Sequence, residues 1–148
     1  SSSSFDLTAF KSSYQPNDSA TMTKFWETYD KENWSIWKCV YDYADDNEDL
    51  TATKEIVTEF MKKSAGMESE CFGVMHVCGK LEIEGLWLFK GEDPENMFGK
   101  NEDTSWFSWS QLGPDLSSDP IKKAIADIWA PANSTTGGKA IQDTQVFQ

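Results

Sequence analysis

The sequence predicts an α+β fold in a single domain. Segments with the helical period and segments with the two-residue strand period do not alternate as a parallel βαβ array requires. Two strand segments are joined by Gly79-Lys80-Leu81-Glu82, a connection short enough only for an antiparallel hairpin. A length of 148 residues fits one domain. At this size roughly 68–70% of the unfolded surface is buried, enough for a core without metals or cross-links.

Leu7, Phe10 and Tyr14 recur at helical spacing behind Ser4 or Asp6 as a cap, and Pro16 closes this first helix. Asp18 or Ser19 caps a second helix, with Met22, Phe25, Trp26 and Tyr29 as its buried stripe. From Trp34 to Tyr43 the period becomes two: Trp37, Cys39, Tyr41 and Tyr43 share one face, and Trp34, Ile36 and Val40 the other. Both faces are largely apolar, so this is an interior strand. The acidic run from Asp45 to Asp49 is a solvated loop. Leu50, Ile56, Val57, Phe60 and Met61 then mark a third helix that stops at Gly66.

The hairpin strands run from Phe72 to Cys78 and from Ile83 to Lys90. In the second, Ile83, Trp87 and Phe89 face one way and Leu86 and Leu88 the other, which makes it central. Gly91 to Thr104 reads as a long polar loop. Ser105 to Leu112 is a weaker strand with Phe107 and Trp109 opposite Trp106 and Leu112. Asp119-Pro120 opens a last helix, cap followed by proline, whose stripe is Ile121, Ile125, Ile128 and Trp129, and Pro131 ends it. Lys139 to Gln148 is an extended segment suited to a sheet edge.

Charge narrows the function. All 13 basic residues are lysine, set against 25 acidic ones, for a net charge of −12. Without arginine there is no planar fork for bidentate capture of phosphate or guanine. Direct nucleic-acid binding is therefore not expected, and a basic protein partner suits the surface better. Membrane insertion is not expected because no apolar run approaches the ~20 residues that span a bilayer. Three cysteines, an odd number in a chain with ample core, read as reduced thiols in a cytoplasmic setting.

No residue pattern announces catalysis. His76 is the one histidine, and with Cys78 and Cys39 it lacks the ligand spacing of a metal site or the arrangement of a nucleophile pair, so it reads as a core histidine. Carboxylate pairs such as Glu82 with Glu84 read as solvated faces. No glycine loop fits a phosphate. Neither a catalytic nor a metal-ligating residue is assigned, and no cofactor is expected. Seven tryptophans fit a Trp-rich core, though indoles are also enriched at recognition surfaces.

The order of four segments is more specific. Phe25-Trp26-Glu27 with Tyr29-Asp30, then Trp34-Ser35-Ile36-Trp37, then Cys71-Phe72-Gly73-Val74-Met75 ending in Gly79, then Gly85-Leu86-Trp87-Leu88-Phe89-Lys90-Gly91, resembles the C-terminal domain of the gamma subunit of eukaryotic elongation factor 1. Trp109, Leu112 and Pro114-Asp115, and the tail Gly138-Lys139-Ala140, are similar to its closing segments. The family has arginine where this chain has Lys90. The resemblance covers the chain from Phe5 onward, leaving Ser1 to Ser4 as a linker remnant.

The resemblance implies an antiparallel sheet of about five strands with helices packed around it. It also implies a non-catalytic scaffold in the guanine-nucleotide exchange complex of translation elongation. Partners would be other elongation factor 1 subunits, bound directly or through an N-terminal domain absent from this sequence. A contrasting reading is a secreted carbohydrate-binding module, suggested by Trp platforms and by the sequons at Asn17, Asn33 and Asn133. The candidate partner-binding rim comprises Trp26, Asp30, Trp34, Gly85, Lys90 and Gly91, where a charge emerges beside flanking indoles. Trp37, Trp87 and Phe89 are expected to be structural core.

Overall fold

A computed structural model describes residues 6–15, 19–29, 32–91, 94–112, 118–131, 135–136 and 139–147. The helices are α1 (Leu7–Ser13), α2 (Ser19–Thr28), α3 (Leu50–Lys63), α4 (Glu95–Lys100) and α5 (Asp119–Trp129). The strands are β1 (Trp34–Tyr41), β2 (Cys71–Cys78), β3 (Ile83–Lys90), β4 (Phe107–Leu112), β5 (Thr135–Thr136) and β6 (Lys139–Phe147). All pairings are antiparallel, in the order β4-β1-β3-β2-β6-β5. Five long strands thus form the sheet, and the two residues of β5 extend it beyond β6.

The helices cover both faces of this sheet. On the first, α1, α2 and α5 bury Phe10, Phe25 and Trp129 against Ile36, Phe72, Val74, Leu86 and Leu88. The rings meet at oblique and edge-on angles, with Phe10 and Phe72 5.0 Å apart and Phe25 and Trp129 5.1 Å apart, the geometry that ring quadrupoles favour. Trp129 donates its indole N–H to Leu86 O at 3.0 Å, and Tyr14 donates its hydroxyl to the carbonyl of Trp129. On the second face, α3 and α4 bury Val57, Phe60 and Met97 against Cys39, Met75, Trp87, Phe89 and Phe107. β2 and β3 lie between the two cores, which is why almost every residue in them is buried.

Local chemistry sets the element boundaries. The Asp6 carboxylate accepts from Ala9 N at 3.2 Å to cap α1, and Asp49 accepts from Ala52 N at 2.7 Å to cap α3. Asp18, expected to cap α2, and Ser4 lie outside the described residues, as does the proposed linker at Ser1 to Ser4. Ser118 occupies the cap position of α5, so Asp119 sits in its first turn beside the proline.

Three expectations change. β1 ends at Tyr41, and Tyr43 stands in the turn beyond it. A 3₁₀ helix over Glu102–Trp106 takes the end of the stretch read as a loop and also Ser105 and Trp106, read as the start of a strand that begins only at Phe107. The loop stretch carries α4 as well. Its helical face was hidden in the sequence because Met97 supplies the only buried side chain of so short a helix. Trp37, expected in the core, is only partly buried. Its strand is paired on both sides, but pairing covers the backbone and not the faces. The cross-strand neighbours of Trp37 are Trp87 and Gln111, and the side chain turns back to donate its N–H to Ser35 Oγ at 3.0 Å. Trp87 and Phe89 are buried.

Candidate functional site

The rim residues do not all come together. Lys90 is exposed at the end of β3, with Trp34 directly across from it on β1. Gly91 follows with φ +105°, a conformation glycine adopts without steric cost. Trp34, expected as a flanking indole, is 8% exposed and belongs to the core under α2, where the Tyr29 hydroxyl donates to its carbonyl at 3.0 Å. Trp26 is partly buried, with the Lys122 ammonium 5.8 Å above its ring. Gly85 is interior: a Cβ there would lie 2.9 Å from Met75 Cγ and 3.0 Å from Cys39 Sγ. It is a packing position five residues along the strand from Lys90. Asp30 lies outside the described residues.

The residues with chemical potential are bound into the framework. His76 is 1% exposed, and both ring nitrogens are engaged: Nε2 donates to Ile128 O at 2.6 Å and Nδ1 accepts from Thr144 Oγ1 at 2.8 Å. Burial holds its pKa below the usual histidine value, partly offset by the Ile128 carbonyl and by the charge of Glu84. Glu84 sits nearby, 6% exposed, and pairs with Lys38 at 3.6 Å and with Lys139. Hydrogen bonding to Glu84, with Glu82 behind it, raises the Lys139 pKa. Cys39, Cys71 and Cys78 are free and buried, and burial raises all three thiols, Cys71 to about 12 and Cys78 to about 11. Among the described residues no group of three or more His, Cys, Asp or Glu is placed to hold a metal ion.

A recess that the sequence did not point to opens beside β4. It encloses about 490 Å³ and is lined by Phe98, Glu102, Thr104, Ser105, Phe107 and Trp109. Asn101 builds it. This fully buried side chain donates to Phe60 O at 3.0 Å and to Ser64 Oγ at 2.9 Å on α3, and accepts from Asp103 N at 2.9 Å. The 3₁₀ turn is thereby fixed to α3. Thr104 O then accepts the Trp109 indole N–H at 3.0 Å, and Phe98 packs against that indole at 5.3 Å. The available signal was Met97-Phe98 in otherwise polar surroundings, which the loop reading passed over, while Trp106 was read as part of the strand that follows.

The comparisons with known proteins agree with one another. The family model described as "Elongation factor 1 gamma, conserved domain" matches residues 1–93. A "Probable elongation factor 1-gamma" of Caenorhabditis elegans is 28% identical over 151 residues, covering 97% of this chain and 37% of the relative. A "Probable elongation factor 1-gamma 2" of Arabidopsis thaliana is 30% identical over 128 residues, covering 84% and 30%. An "Elongation factor 1-gamma" of Artemia salina is 23% identical over 150 residues, covering 97% and 34%. The chain therefore spans about a third of the length of these relatives. Because the family model matches more than half of the chain, through the strands that form the centre of the sheet, the chain belongs to the elongation factor 1-gamma conserved-domain family.

Proposed function

We propose that this chain is a non-catalytic scaffold and interaction domain of the translation elongation factor 1 guanine-nucleotide exchange complex, acting in protein synthesis in the cytoplasm. The observation that carries the reading is the family match, whose relatives are named as elongation factor 1-gamma and align with up to 97% of this chain. The engaged histidine and the raised, buried thiols support it, since His76 and the three cysteines are each held inside the fold. No helix among the described residues is long and apolar enough to cross a membrane. The other elongation factor 1 subunits are the proposed partners, reached directly or through the rest of the longer protein.

Co-purification with recombinant elongation factor 1 subunits tests the partner, and an exchange assay on the GTPase subunit tests the absence of catalysis. The chain should retain a subunit without accelerating nucleotide release by itself. Exchange by the isolated chain at the rate of the whole complex, or failure of any subunit to bind either this chain or the longer protein, would overturn the reading. Lys90→Glu in the same capture tests the proposed β3 rim: unchanged capture with an intact fold removes Lys90 and Gly91 from the contact.

A further inference from the structure

Exposed aromatic surface is not scattered over this molecule. The large hydrophobic side chains exposed among the described residues are Tyr43 at 49%, Phe98 at 42% and Trp106 at 40%, and all three gather at the β4 edge. Phe98 packs on Trp109. Tyr43 lies 5.9 Å from Tyr41, which lies 5.2 Å from Phe107, and Asp42 N donates to Trp106 O. A concentrated apolar patch beside a recess lined by Phe98, Phe107 and Trp109 is characteristic of a recognition surface.

Charge and backbone define what fits. Glu102 projects from the lining with its side chain 86% exposed. Asp42 stands behind Ser108, and the charges of Asp46 and Asp103 help raise the Tyr41 pKa, behind the larger effect of burial. Asp103 is 1% exposed and its Oδ2 has no hydrogen-bond partner. Lys63 is a cation at this edge. Lys100, on the same helix as Phe98, has its ammonium close to Gly66 instead.

Lys63 is also a sample of the chemistry the surface holds. Its ammonium lies 5.8 Å over the Trp106 ring, 2.8 Å from Asp103 and 3.7 Å from Glu102, a cation against an indole with carboxylates behind it. Among the described residues β4 pairs only with β1, so its outer N–H and C=O groups form an open sheet edge.

We infer that this edge takes a short extended segment of another protein, rich in arginine or lysine, which pairs with β4 and lays its cations over Trp106, Trp109 and Phe98 towards Glu102. An added strand supplies main-chain hydrogen bonds, and alternate side chains then fall on the face that carries Phe107 and Trp109. Arginine is the better match, because its planar group stacks on an indole and bonds a carboxylate together. This chain has no arginine of its own, so that fork must come from the partner. The inference rests on the interaction-domain reading above and adds the surface and the chemistry of the partner.

The probe is a blocked ten-residue peptide of alternating arginine and valine, titrated into the chain by calorimetry, with amide hydrogen exchange read on the complex. A matched peptide carrying citrulline for arginine keeps the shape and removes the charge. Because a chain of net charge −12 attracts any polycation, the decisive comparison is between variants. Phe98→Ala with Trp106→Ala, and separately Glu102→Lys, should each weaken binding about tenfold, while Glu27→Lys on the opposite face of the sheet changes it less than about twofold. β4 amides should gain protection.

Equal weakening by Glu27→Lys, or protection gained elsewhere than β4, overturns the site. Equal binding of the citrulline peptide overturns the cationic partner, and displacement by a neutral oligosaccharide overturns its class. Cooperative unfolding of each variant shows that the fold persists, and the exposure of the substituted side chains leaves it little affected. Subunit capture is measured separately. A failed peptide titration with intact capture removes the groove alone, whereas intact peptide binding with failed capture removes the elongation-factor complex and leaves the groove.

Discussion

At the scale of single residues, His76 shows how a reactive side chain becomes a structural one. It joins β2, β6 and the end of α5 by accepting one hydrogen bond and donating another, which fixes the neutral Nε2–H tautomer. A proton on Nδ1 would make the Thr144 hydroxyl turn from donor to acceptor and would place a charge in the core. The folded-state pKa is therefore lower than the unfolded value of about 6.5. The unfolded chain then binds the proton more readily, so the stabilisation is complete above about pH 6.5 and is lost as the pH falls, levelling off below the folded-state pKa. Between roughly pH 7.5 and 5.5 the slope should approach at most about 1.4 kcal/mol per pH unit. Urea unfolding across that range should show the slope in the wild type and not in His76→Gln. Parallel curves for the two proteins would refute this account.

At the scale of elements, the hairpin of β2 and β3 depends on one exchange of volume. Gly73 and Trp87 are cross-strand partners, and a Cβ on Gly73 would stand 2.3 Å from the indole ring. The large side chain on one strand thus lies over the bare backbone of its neighbour, in the manner by which aromatic residues cover strand glycines. Gly73→Ala should cost about 1–3 kcal/mol through overpacking, and Trp87→Ala about 3–5 kcal/mol through the cavity. In the double variant the methyl group enters the vacated space. The combined loss should therefore fall short of the sum by at least about 1 kcal/mol. Additivity in chemical denaturation would mean that the two positions are not in contact.

For the molecule as a whole, two cores share one sheet, and the buried cysteines report on its cooperativity. Cys39, Cys71 and Cys78 sit on β1 and at both ends of β2, all on strands that both cores need. With raised thiol pKa values and no exposure, they should react with a thiol reagent at pH 8 only when the molecule opens. Pulsed labelling read by mass spectrometry should give one rate for all three, equal to that of global unfolding. Fast modification of a single thiol with the others protected would show that one edge opens independently.

Much of this architecture is written in the residue pattern. Period and punctuation alone placed β3 from Ile83 to Lys90, because Leu86 and Leu88 alternate with Ile83, Trp87 and Phe89 and glycine follows. The aromatic and glycine order from Phe25 to Gly91 also identified the family. Periodicity could not reveal what depends on contacts between distant elements. α4 is too short to show a face, and it forms where Asn101 ties the following turn to Phe60 and Ser64, some forty residues earlier in the chain. Trp37 and Trp87 share the same strand signature, yet helix cover, decided by where α3 packs, buries Trp87 completely and leaves Trp37 only partly buried. The candidate rim dispersed for the same reason, with Trp34 and Gly85 drawn into the core. The aromatic recess arose where α4, the 3₁₀ turn and β4 converge, because a surface is made by tertiary packing while a period records only which way each side chain points along its own element.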